Sequence, residues 1–171
     1  MDATADELAG VVDLFGGLTR AELERALTEA AYRADGQAVD EAALEGAIEA
    51  ALGSFALVRY VPKRGNDAAA DGARTAGDAE PLLVAGPTAF PAVPDHAEDV
   101  PHILDIERRR LDREALGEAT RERFVAAADE AVSAGDAGRI RTLLDVSYDL
   151  EAWASIDCTD ERTRLEDALE E

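Results

Sequence analysis

The sequence predicts a mainly α protein: a first module of three helices and a β-hairpin, followed by a helical module. Three observations carry this. Apolar residues recur at helical spacing behind N-cap residues through residues 4–53. Two short aliphatic runs, FALVRYV and LLVA, are too short for helices and too apolar for loops. Five of the chain's 6 prolines then fall between Pro81 and Pro101, after which helical spacing resumes. The expected division is 1–86 for the first module, 87–101 for a proline-rich connector and 102–171 for the helical module.

Thr4 and Glu7 have the spacing of a capping box, each side chain accepting from the other residue's backbone N–H. Leu8, Val11, Val12 and Phe15 follow on one face, and Gly16-Gly17 stops the helix. Thr19 and Glu22 repeat the device, with Leu18 placed to staple Leu23. That stripe runs through Ala26, Leu27, Ala30 and Ala31 to Gly36, which suits a left-handed C-cap. Val39-Asp40 opens a third helix that buries Leu44, Ile48 and Leu52 and ends at Gly53.

Residues 55–61 and Leu82–Ala85 read as strands, the second stopped by Gly86-Pro87. Between them, residues 63–80 hold no side chain larger than alanine that would enter a core, and read as a flexible, low-complexity excursion. Pro87, Pro91 and Pro94 are too closely spaced for helix or sheet, so 86–95 reads as a stiff extended connector with Phe90 and Val93 as its anchors. Asp99-Val100-Pro101 opens a helix whose apolar positions Ile103, Leu104, Ile106 and Leu111 carry it to a break near Asp112. A long helix follows from Leu116 through Phe124 to Gly135. Asp136 caps the next, with Ile140, Leu143 and Leu144, and a charged helix runs from about Thr159 to the end. The order helix, helix, helix, strand, long loop, strand resembles a winged-helix module, with 63–80 as an oversized wing.

The formal net charge is −21, from 38 acidic and 17 basic residues, and Lys63 is the only lysine. Mutual repulsion of this size strains a small fold in dilute buffer. At about 1 M salt the Debye length falls to roughly 3 Å and most of that cost vanishes. The acidic, lysine-poor, alanine-rich composition resembles that of haloarchaeal proteins, and the whole chain is similar to members of an uncharacterised haloarchaeal protein family. That resemblance implies a salt-rich cytoplasm and a charge that serves solvation; it implies no activity and no catalytic residue. The lone cysteine, Cys158, fits a reducing compartment and reads as an inert small hydrophobe. The opening MDATADELAG has no basic n-region, so no secretory signal is expected. No apolar run approaches the roughly 18–20 residues that span a bilayer. The expected compartment is the cytoplasm.

A DNA-reading helix needs Arg, Lys, Asn or Gln on its exposed face. The third helix instead offers Glu41, Glu45 and Glu49 and holds no base. The densest basic stretch is Arg108, Arg109, Arg110 and Arg113, with Arg121 and Arg123 beyond. Read structurally, it is a helix laced by i,i+4 ion pairs such as Asp105 with Arg109 and Arg110 with Glu114. Read functionally, Arg108, Arg109 and Arg113 are the candidates for a nucleic-acid surface. His96, Asp99, His102 and Asp105 are the candidate metal ligands, although no established ligand spacing occurs. No phosphate-binding glycine loop and no nucleophile elbow occur, so catalysis is not favoured and no cofactor is expected. The leading expectation is a non-catalytic protein-interaction or regulatory module with a protein partner or a second copy of itself. The alternatives are a nucleic-acid-associated transcription regulator using the Arg108–Arg123 surface and a small metal-dependent enzyme around His96 and His102.

Overall fold

The computed structural model describes residues 3–36, 38–62 and 80–170, so of the expected wing all but Glu80 lies outside the described residues. The chain divides into two compact units, Met1–Asp112 and Arg113–Glu171.

The first unit begins as the capping residues dictate. Helix α1 (Ala5–Phe15) and helix α2 (Arg20–Asp35) each open on a complete capping box, Thr4 with Glu7 and Thr19 with Glu22, and each ends at a left-handed glycine. Helix α3 (Glu41–Gly53) starts where Asp40 accepts from the Ala43 N–H. Strands β1 (Leu57–Tyr60) and β2 (Leu82–Ala85) pair antiparallel, Leu57 opposite Ala85 and Tyr60 opposite Leu82. On the other side of β2, Leu18 exchanges both backbone hydrogen bonds with Leu83, at 3.0 and 2.7 Å. The α1–α2 corner is thereby tied to the hairpin.

Helix α1 is the centre of this unit. Leu8 to Val12 are buried without interruption, and so is Phe15. A helix buried nearly all round has neighbours on every side. Here they include Leu23 and Leu27 of α2, Leu44, Ile48 and Leu52 of α3, Leu57 and Leu83 of the hairpin, and Ala97 and Val100. The segment expected as a connector, 87–101, thus supplies core residues to the first unit.

Two sequence expectations change here. Helix α4 (Val100–Leu104) is one short turn and does not run on to Leu111. Asp105 takes a left-handed backbone, φ 52°, and residues 106–112 are non-helical. Nor are Phe90 and Val93 anchors: they are 82% and 41% exposed, while Ala97 and Val100 are fully buried. The reason is a main-chain fit. The N–H of Ala92 donates to the Asp6 C=O at 3.0 Å. A Cβ on Gly10 would sit 2.2 Å from the Ala92 oxygen, so only glycine lets this segment lie flush on α1.

The second unit holds helices α5 (Arg113–Ala134), α6 (Ala137–Trp153) and α7 (Thr159–Glu170), each packed on the other two. Gly135, with φ 63°, ends α5, and Asp136 caps α6 by accepting from the Arg139 N–H. Leu116, Phe124, Ile140, Leu143, Leu150 and Leu165 form its buried interior. The whole chain is mainly helical, with one small hairpin after the three N-terminal helices. Among the described residues no helix is long and apolar enough to cross a membrane.

Candidate functional site

The most unusual surface feature begins with Asp6 in the first turn of α1. Its carboxylate accepts the Phe90 N–H at 3.0 Å, and its carbonyl accepts the Ala92 N–H. The approach to Phe90 is fixed as well: Thr88 donates its hydroxyl to the Ser54 C=O and its N–H to the Phe55 C=O. Pro91 follows and restricts Phe90 to extended backbone. An aromatic side chain therefore stands in solvent on a backbone held at several points. Burying a phenylalanine is worth about 1.5–3 kcal/mol. The fold forgoes that gain here, although it buries Phe15, Phe55 and Phe124 completely. The sequence held one signal for this arrangement, a glycine inside an otherwise apolar helix, which marks close backbone approach.

The four metal candidates are not gathered into a site. His96 sits at an exposed left-handed corner, φ 66°, and His102 is exposed on α4. Asp99 precedes α4 without a side-chain cap bond, and Asp105 closes it. Among the described residues no group of three or more His, Cys, Asp or Glu side chains is placed to hold a metal ion.

The arginine cluster is divided between different tasks. Arg109 donates its N–H to the Phe15 C=O at 2.7 Å and Nη1 to the Gly17 C=O at 2.8 Å. Its guanidinium also grips both Glu22 oxygens, at 2.9 and 2.8 Å. Gly16 makes room, since a Cβ there would lie 2.2 Å from the Arg109 oxygen. The expected i,i+4 pairing of Arg109 with Asp105 is replaced by this contact because residues 106–112 are not helical. Burial works to raise the Glu22 pKa, but the bonds from Arg109 and Thr19 outweigh it and hold the carboxyl below its usual range. Arg108 and Arg110 point to solvent. In the second unit, Arg113 stacks over the Trp153 ring at 4.9 Å and Arg121 pairs with Glu161.

The outer face of α3 is less acidic than its sequence suggests. Arg20 pairs with Glu45, and Arg59 of β1 pairs with Glu49 at 2.6 Å. Those bonds pair two of the three glutamates of α3 with arginines from α2 and β1.

At the α6–α7 junction, Arg162 lies over the Tyr148 ring at 4.0 Å, and donates to Ser147 Oγ and to Glu151. Glu151 also accepts the Cys158 N–H. Cys158 is fully buried, and burial, followed by the nearby Glu161 and Glu151 carboxylates, pushes its thiol up to about 11. A thiol so protonated is a poor nucleophile.

No curated protein and no solved structure matches the chain. A family model described as "Family of unknown function (DUF7109)" matches residues 6–170, and the chain belongs to that family.

Proposed function

We propose that this DUF7109 protein is a non-catalytic protein-interaction module that presents Phe90 to a partner from a rigid segment. The observation that carries the reading is the 82% exposure of Phe90 on a backbone pinned by Asp6 and restrained by Pro91. Aromatic anchors on preorganised backbone dominate many interfaces, because little conformational freedom is left to lose on binding. The three helices and hairpin that carry the segment support the winged-helix resemblance, a frame also used for protein contacts. The partner is a protein with an apolar pocket. Asp95, Glu98 and Asp99 lie in the same stretch as Phe90. Two copies meeting through it would oppose like charges, so a different protein with a neutral or basic rim fits better than a second copy. The acidic coat itself is read as adaptation to a salt-rich cytoplasm, the surroundings its composition suits.

Phe90→Ala tests this directly. An exposed side chain contributes little to folding, so the variant should keep its stability within about 0.5 kcal/mol. Cross-linking in cells grown in high salt should recover a partner with the native chain and Phe90→Tyr. Loss of an aromatic anchor weakens binding about 30-fold or more, so Phe90→Ala should recover none. An identical partner set for all three chains overturns the proposal. Sedimentation equilibrium separates the occupants: a mass that doubles with concentration, and stops doing so in Phe90→Ala, assigns the surface to self-association.

A further inference from the structure

We propose that Thr88 is a positioning residue for the Phe90 surface, fastening the turn before Phe90 to a strained corner at the end of α3. The inference rests on the reading of Phe90 as the partner's anchor. Its starting point is the backbone of Phe55, which takes φ 64° although the residue is an aromatic and fully buried. Helices α1, α2 and α5 end in the same left-handed region on glycines, Gly16, Gly36 and Gly135, which have no Cβ to crowd the chain. At the end of α3 a bulky side chain stands in that place, where such residues are outliers. Strain of this kind persists where the surroundings over-determine it, and it marks a geometry the molecule uses.

The corner presents two successive carbonyls to one residue. Thr88 donates its hydroxyl to the Ser54 C=O at 2.9 Å and its N–H to the Phe55 C=O at 3.3 Å. The approach leaves no space for a side chain, since a Cβ on Gly86 would lie 2.1 Å from the Phe55 oxygen. Thr88 belongs to a tight turn in which the Ala89 N–H donates to the Gly86 C=O, with Pro87 at the second position, where its fixed φ suits the turn. Two residues further on, the Phe90 N–H reaches the Asp6 carboxylate. Phe90 is thus held from two sides, by the α3 corner before it and by α1 beneath it.

Stability alone does not call for the Thr88 hydroxyl. Ser54 is exposed, so water satisfies its carbonyl at the end of α3 equally well. What the hydroxyl fixes is where the turn sits. Without it Phe90 is steadied mainly by Asp6 and Pro91, its ring samples more orientations, and a partner must restrain them on binding.

Thr88→Val in the full chain tests this, because it removes the donor and keeps the branched shape; Thr88→Ser keeps the donor and is the rescue. The backbone amides of Ala89 and Phe90 should become more mobile in Thr88→Val and stay native in Thr88→Ser, with the unfolding midpoint of the first unit unchanged in both. The partner is defined as the protein recovered by the native chain and Phe90→Tyr and lost in Phe90→Ala. It should leave Thr88→Val about two- to tenfold faster than the native chain, the factor for one neutral hydrogen bond, and leave Thr88→Ser at the native rate. Native order at Ala89 and Phe90 in Thr88→Val overturns the proposal, and so does an unchanged rate of partner release. If Phe90→Ala recovers the native partner set, the reading of Phe90 itself fails, and Thr88 is then a cap for α3 with no positioning role.

Discussion

The two units hold together in different ways. The first is assembled by main-chain fits over long sequence separations: Ala92 on Gly10, Arg109 on Gly16, Leu83 on Leu18. The second is a local three-helix packing whose helices are joined by ion pairs, Arg121 with Glu161, Arg162 with Glu151 and Arg164 with Asp129. Charge separates them further. Residues 113–171 hold 16 acids and 7 bases, a net of −9 in 59 residues, while residues 1–112 hold 22 acids and 10 bases, a net of −12 in 112. Even with every arginine of the second unit paired, nine carboxylates remain to repel one another. A unit of this size buries only about 60% of the surface its unfolded chain exposes, so its margin is the thinner one. What differs between the units is the density of unpaired charge and the reach of the contacts that hold each together.

The largest test of that independence is Phe124→Ala. Phe124 is fully buried among the helices of the second unit, and such a truncation costs about 3–5 kcal/mol. The expected result is loss of the second unit alone. Trp153, the chain's one tryptophan, reports it by fluorescence, while amide signals from α1 to α3 stay dispersed. If the first unit melts with it, the two do not fold separately and the contrast fails.

Withdrawing salt should act next most strongly. Lowering potassium chloride from about 2 M to about 0.1 M lengthens the Debye length from a few ångströms to roughly 10 Å, which restores the repulsion. Strengthened surface ion pairs return only about 0–1 kcal/mol each, too little to compensate. The Trp153 transition should therefore shift to lower temperature more than the transition of the first unit. Equal shifts would place the two units on the same footing. No shift in either would mean that the carboxylates serve something other than solvation.

The same contrast explains what was legible in the sequence. Caps and stripes are interactions between residues three or four apart, so α1, α2 and α3 follow from the residues at Thr4, Thr19 and Asp40, and the two strands from their short aliphatic runs. Helices α5 to α7 follow for the same reason. The non-helical course of 106–112 does not, because nothing near Arg109 announces that its partner is Glu22. Local spacing of Ile103, Ile106 and Leu111 favoured a helix, and a bidentate bond to a residue far earlier in the chain outweighed it. The Phe90 segment misled in the opposite sense. Its large side chains looked like anchors, whereas the chain packs through the backbone of Ala92 and through the small Ala97. Main-chain fits leave few side-chain signatures; among the described residues Gly10, Gly16 and Gly86 carry them, each with no room for a Cβ beside a facing carbonyl.

Acid should produce the smallest of these effects and the sharpest division between the units. Glu22 is held below its ordinary pKa of 4.5, since the bonds from Arg109 and Thr19 outweigh burial. A carboxyl whose folded pKa lies below its unfolded value binds fewer protons in the folded state. Its stabilisation is complete above the unfolded pKa and drains away as pH falls through the folded one. The first unit should accordingly lose stability from about pH 5 downward, with Glu22 contributing at most about one proton of the uptake. Glu22→Gln removes that contribution: the variant is less stable than the native unit at pH 7, and the gap narrows on acidification. Glu151, lowered by the Cys158 N–H and by Arg162, gives the second unit a similar acid sensitivity that Glu22→Gln cannot touch. Urea melts across pH 7 to 3 should thus show the first unit's pH slope flattened in the variant and the Trp153 transition unchanged. A Trp153 transition that follows Glu22 would instead mean that the two units do not unfold independently.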